Sequence, residues 1–334
     1  MTPVTDSSVR DLVERVCAGD VRALARAISL VENDAPEAAE VLSGCFPYTG
    51  RALRIGVTGS PGAGKSTLVD KLARGYRAVD TNVGIIAVDP SSPFTGGALL
   101  GDRIRMPERI DDDGLYVRSM ATRGSLGGLA RATGDVAQVI EASGKDVVLI
   151  ETVGVGQDEI DIVRFADVTV VVLVPGMGDD VQSIKAGIME IADIFVINKA
   201  DREAADRTER EVRAMQSLAG PHDSWVTPIV KTVATTGEGI EDLLGAVEQM
   251  KAWLATEGRL KARRKSYWRD RIEEMLRQAL LKGAAAHGLS VEQLGGHAER
   301  VAEGQEDPYR LVPQLVEQVF GQETERVERS HDQN

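Results

Sequence analysis

Two hydrophobic rhythms divide the chain. Between residues 8 and 45 apolar positions recur at helical spacing: Val9, Leu12, Val13 and Val16, then Leu24, Ile28 and Val31. This Ala-rich segment predicts small helices packed beside a larger domain. From residue 53 the rhythm changes to short apolar runs: Leu53–Thr58, Val83–Val88, Leu115–Val117, Val147–Ile150, Val168–Val174, Ile194–Ile197 and Val226–Val233. Runs without alternation suit strands covered on both faces, hence a mostly parallel sheet. Helical stretches are expected between them at 65–78, 127–143, 182–191, 203–218 and 239–256. The βα alternation predicts an α/β doubly wound fold.

The sheet pattern ends near residue 256. Arg259–Lys282 is basic at first, with Trp268, Ile272, Met275, Ala279 and Leu280 at helical spacing. The basic stretch Arg259–Arg271 reads either as a solvated helix face or as a surface for an acidic partner. A last helix is signalled by Asp307-Pro308 and carries Leu311, Leu315, Val316 and Val319; Pro313 either kinks it or marks its true start. The polar tail after Gly321 is expected to fray. The organisation is therefore a helical segment 1–50, an α/β domain 51–256, a helical arm 257–325 and a disordered tail 326–334.

Charge and composition narrow the function. A net charge of −13 argues against a nucleic-acid binder. Cys17 and Cys45 have no metal-like spacing and give no disulfide framework, and the four histidines are scattered. No basic segment leads into an apolar stretch at the N-terminus, and the longest apolar run, Val170–Val174, is too short for a bilayer. The expectation is a cytoplasmic protein with no membrane partner.

The strongest chemical signal is GSPGAGKST, Gly59–Thr67, directly after an apolar strand. Strand, glycine loop and helix start form a phosphate cradle. Ser60, Pro61, Gly62, Ala63, Gly64 and Thr67 supply the loop, Lys65 reaches the β- and γ-phosphates, and Ser66 offers a hydroxyl to Mg²⁺. NKAD, Asn198–Asp201, ends another strand. Asp201 can accept from guanine N1–H and the exocyclic amine, Asn198 can bond the N7/O6 side, and the Lys199 stem can cover the ring. VATTGEG follows the last strand, with Ala234 as a candidate backbone donor to the base.

Three acids are candidate magnesium or catalytic groups: Asp89, Asp102 and Glu151. Each could instead be a solvated carboxylate. Glu151 stands where aspartate is more usual, and its side chain reaches ~1.5 Å further. The glycines after it, Gly154 and Gly156, suggest a hinge that senses a γ-phosphate. Gln157 is either a water-positioning residue or a polar helix start. Pro175–Gly187, with Asp179, Asp180 and Lys185, reads either as a loop that moves or meets a partner, or as an ordinary capped loop.

With these pieces in place, the chain resembles the MeaB/ArgK family of P-loop GTPases. The resemblance is carried by GVTGSPGAGKST, VDPSSPFTGGALLGDRIRM, RGSLGGLARAT, VVLIETVGVGQDE, PGMGDDVQSIKAGIMEIAD and NKAD. It implies the signal-recognition and nickel-insertase type of P-loop fold, in which glutamate at Glu151 is ordinary. It implies Ser66, Asp89, Asp102 and Glu151 at magnesium and switch positions, and a third switch loop at Pro175–Gly187. It also implies homodimerisation through the C-terminal arm and a partner: an adenosylcobalamin-dependent acyl-CoA mutase, typically methylmalonyl-CoA mutase, whose cofactor loading is gated. Alternatives are a nickel-type metal-insertion GTPase, a kinase, or a nucleotide-dependent scaffold.

Overall fold

The computed structural model describes residues 7–89, 112–121, 128–152, 165–176, 191–219, 225–286 and 289–331. The chain divides into two compact units, Met1–Arg263 and Arg264–Asn334.

The first unit is built on a seven-stranded, all-parallel sheet. Its strands are β1 (Leu53–Gly59), β2 (Val83–Asp89), β3 (Leu115–Ala121), β4 (Val147–Glu151), β5 (Val168–Leu173), β6 (Ile194–Asn198) and β7 (Ile229–Thr232). Their order is β3-β2-β4-β1-β5-β6-β7. The doubly wound expectation holds. β1 sits centrally, and β4 and β5 flank it although the chain visits β2 and β3 first. That reversal places the crevice at the carboxyl end of β1 at the topological switch point, where such sheets bind ligands.

Both faces of the strands are apolar, as the unbroken runs require. Ile55, Val57, Ile85, Leu149, Val170 and Val196 share one core with α4 (Lys65–Ala78) and α7 (Ile240–Ala255). Residues one step along, Ile86, Val88, Val148 and Ile150, pack on the opposite face against α1 (Ser7–Cys17), α2 (Val21–Glu32), α3 (Ala38–Cys45) and α5 (Gly128–Ala142). Val171, Leu173 and Phe195 pack with Val212 of α6 (Ala205–Ala219). The three N-terminal helices thus cover one face of the sheet. Asp20 caps α2 by accepting from Arg22 N and Ala23 N at 2.8 and 3.0 Å.

Two strands differ from the sequence expectation. β3 runs to Ala121 rather than Val117 because the polar residue that interrupts it is neutralised: Arg118 pairs with Glu32 of α2. Tyr116 and Met120, on the same face, are buried. β7 starts at Ile229 rather than Val226. Pro228 has no N–H for the ladder and contributes only its carbonyl, which accepts from Phe195 N at 2.9 Å. The expected helix at 182–191 lies, apart from its last residue, outside the described residues.

The helix α8 (Arg259–Ala286) begins in the first unit and supplies the second. The second unit also holds α9 (Val291–Ala302), opened by a Ser290/Gln293 capping box, and α10 (Pro308–His331). Asp307 caps α10, accepting from Tyr309 N on its side chain and from Leu311 N on its carbonyl. Pro313 therefore lies inside the helix and does not mark its start. The helix continues past Gly321 to His331, where the polar sequence suggested fraying; Glu, Gln and Arg are good helix formers. Among the described residues, no helix is long and apolar enough to cross a membrane.

Candidate functional site

Three loops at the carboxyl ends of β1, β4 and β6 make the site. The first leaves β1 at Gly59, whose φ is +141°. A Cβ there would lie 2.2 Å from the Val172 carbonyl on β5, so the loop turns where only glycine fits. Gly64, the N-cap of α4, is left-handed at φ +88°. A Cβ on it would lie 2.4 Å from Asn198 Nδ2. This close approach joins the glycine loop to the end of β6.

The N-cap Gly64 has no side chain with which to cap α4. Its first turn instead presents backbone amides with the positive end of the helix dipole. Lys65 is buried at 5% exposure, and its ammonium donates to Gly59 O at 2.6 Å and Ser60 O at 3.0 Å. A buried cation resting on loop carbonyls beside a helix N-terminus is an arrangement suited to a polyphosphate. Ser66 and Thr67 are exposed at the helix start.

The second loop follows β4. Glu151 pairs in register with Val57 of β1 and Ala87 of β2, and is buried at 5% exposure. The Ser66 hydroxyl donates to its carboxylate. Two hard oxygen groups thus meet beside the phosphate cradle, a donor set suited to Mg²⁺. Asp89 ends β2, the other neighbour of β4. Asp102, Gly154 and Gln157 lie outside the described residues, as do Asp179, Asp180 and Lys185. Among the described residues, no group of three or more His, Cys, Asp or Glu is arranged to hold a metal.

The third loop carries the base-reading candidates. Asn198 is 2% exposed, and its carboxamide is a clasp. Its Nδ2 donates to Ala63 O at 2.8 Å, while its Oδ1 accepts from Thr232 Oγ1 and Ala234 N, both at 3.1 Å. Ala234, a candidate donor to the base, gives its amide to Asn198 instead. Lys199, left-handed at φ +57°, donates from Nζ to Gly62 O at 2.7 Å. The turn thereby leaves Asp201 exposed. Pro61, Gly62, Ala63, Asn198, Lys199 and Ala234 are brought together in one corner.

Sequence reasoning missed three threonines. Thr232 is fully buried and holds Asn198. Thr152 donates its hydroxyl to Thr58 Oγ1 at 3.0 Å, and its amide to Val57 O at 3.1 Å. This pair ties the strand before the glycine loop to the residue after Glu151. The available signal was position: each threonine stands at or beside the carboxyl end of an apolar strand.

Comparison with known proteins accords with this arrangement. The family model described as methylmalonyl Co-A mutase-associated GTPase MeaB matches residues 24–288. A Pyrococcus abyssi protein described as a "putative GTPase" is 49% identical over 94% of this chain and 97% of its own length. GTPase ArgK of Escherichia coli is 36% identical over 77% of this chain and 80% of its own. The mitochondrial methylmalonic aciduria type A homolog of Mus musculus is 34% identical, covering 79% of this chain and 64% of its own. A crystal structure described as a LAO/AO transport system kinase superposes with TM-score 0.72 at 26% identity, over 95% of this chain and 99% of that one. The phosphate cradle, the Ser66–Glu151 pair and the Asn198 clasp therefore stand in a chain that belongs to the MeaB family of methylmalonyl-CoA mutase-associated GTPases.

Proposed function

We propose that this chain is a Mg²⁺-dependent GTP hydrolase of the cytoplasm that serves an adenosylcobalamin-dependent acyl-CoA mutase, methylmalonyl-CoA mutase foremost. In this role it gates cofactor loading and protects the mutase from inactivation. The observation that carries the nucleotide reading is the Asn198 clasp. It locks the glycine loop to the turn bearing Asp201, so one rigid corner can grip phosphates and read a purine edge.

The chain's own groups divide the work. Lys65 and the first-turn amides of α4 bind the β- and γ-oxygens and stabilise charge that gathers there on the way to products. Ser66 and Glu151 are the described residues that would hold Mg²⁺, with Asp89 and Asp102 as further candidates. When bound, the cation would neutralise charge on the β- and γ-phosphates. Asp201 selects guanine over adenine by accepting two hydrogen bonds that adenine cannot donate.

The mutase assignment is supported by the family to which the chain belongs. Pairing with a second copy is supported by the apolar surface of the second unit, where Ile272, Met275, Leu276, Leu280 and Leu281 are exposed. Two measurements test the proposal. Calorimetry should show GDP bound and ADP not; no heat with GDP ends the GTPase reading. GTP turnover should rise at saturating cognate mutase; equal rates with and without it end the coupling.

A further inference from the structure

The turn that carries Asp201 runs from Asn198 at the end of β6 to Ala205 at the start of α6. β7 holds it at both ends through consecutive residues. At the front, Ala200 N donates to Thr232 O at 3.0 Å. At the rear, Lys231 Nζ meets Asp206 Oδ1 at 2.7 Å and Glu209 Oε2 at 2.6 Å, both on α6. Neighbours in a strand point to opposite faces. Thr232 therefore turns inward to Asn198 while Lys231 turns outward onto α6.

The backbone under Lys231 is itself fixed. A Cβ on Gly239 would lie 2.0 Å from Lys231 O, so the loop after β7 packs directly on this position. Arg213 adds a second cation to the corner, bonding Glu209 at 2.7 Å. The hydrogen bond to Lys231 is the main cause that holds both Asp206 and Glu209 below the usual carboxylate range, and Asp206 foremost holds Lys231 above the lysine one.

We propose that Lys231 is a positioning residue for guanine recognition: with Asp206 and Glu209 it fastens the far end of the Asn198–Ala205 turn to β7 and so holds Asp201 ready for the base. This rests on the GTPase reading above. An exposed ion pair contributes little to global stability. Its effect here is local, because a turn ordered before the nucleotide arrives does not have to be ordered by it. The carboxylates that Lys231 meets belong to α6 and not to the phosphate cradle, so it acts on binding and not on the chemical step.

The test compares Lys231→Met and Lys231→Arg with the unsubstituted full chain. Lys231→Met should raise KM for GTP and Kd for GDP about two- to fivefold, with kcat unchanged. The difference should shrink in high salt, and Lys231→Arg should restore both constants. In nucleotide-free protein, amide exchange across residues 198–205 should be faster in Lys231→Met. Unchanged Kd together with unchanged exchange would overturn the proposal, as would a loss confined to kcat. If the unsubstituted chain binds no GDP, the GTPase reading fails, and the exchange measurement still decides whether Lys231 fastens the turn.

Discussion

Ser66, in the first turn of α4, donates its hydroxyl to the carboxylate of Glu151 at the end of β4, a residue 85 positions away. A glutamate is needed for this contact. Aspartate would withdraw the carboxylate by ~1.5 Å and break the bond. If the two oxygens jointly hold Mg²⁺, Glu151→Asp should raise the Mg²⁺ concentration for half-maximal GTP turnover by about tenfold or more. Ser66→Ala should do the same. The check is a Mg²⁺ titration of turnover at saturating GTP, and an unshifted midpoint in both variants would remove these residues from the cation.

Asn198 supports a second expectation, about stability rather than turnover. Its Oδ1 satisfies the Ala234 amide and the buried Thr232 hydroxyl, and its Nδ2 satisfies the Ala63 carbonyl. Asn198→Ala strands these groups in a closed corner. A buried group left without its partner costs about 1–3 kcal/mol, so nucleotide-free Asn198→Ala should lose at least ~2 kcal/mol in urea unfolding. Asn198→Asp keeps the acceptor but sets a carboxylate oxygen against Ala63 O, and it should also lose stability. A nucleotide-free Asn198→Ala as stable as the parent would show that the clasp carries no load.

Much of this was legible in the residues. Unbroken apolar runs announced a sheet covered on both faces, and the Gly59–Thr67 loop announced the cradle because its glycines have a steric task. Boundaries were less legible where a long-range partner decides them. Nothing near Arg118 says that Glu32 will neutralise it and let β3 continue. Nothing near Asn198 says that Ala234 will be its donor, because that bond spans 36 residues and depends on β6 and β7 pairing. Lys231 was invisible for the same reason: its two carboxylates belong to an earlier helix.

The root of β1 carries a buried ion pair that the sequence did not reveal. Arg54 Nη2 meets Glu141 Oε2 of α5 at 2.9 Å, with side chains 9% and 1% exposed. Glu141 Oε1 also accepts from the Arg51 and Ala52 amides. Removing one partner of such a pair costs about 3–5 kcal/mol, because the other charge stays buried. Glu141→Ala should lose this much and strand two amides as well. Arg54→Met should lose less, because those amides still bond the carboxylate and the methionine fills the space. Equal losses in urea unfolding would mean that the amide bonds contribute nothing.

The Lys231 corner predicts a pH window. Asp206 and Glu209 are held below their unfolded values, about 3.9 and 4.3, chiefly by hydrogen bonds to Lys231. Groups depressed in this way stabilise the fold above those values, and the gain fades as pH falls through the lower folded ones. Lys231 is held above its unfolded value of about 10.4, with Asp206 the first cause. Its gain is whole below that value and is lost as pH rises through the higher folded one. The difference in local stability of the 198–205 turn between the parent chain and Lys231→Met should therefore be flat from about pH 5 to pH 10 and shrink on both sides. Amide-exchange protection across those residues, corrected for the intrinsic pH dependence of exchange, makes the comparison. A difference that instead changes steadily between pH 6 and 8 would point to a histidine and not to this corner.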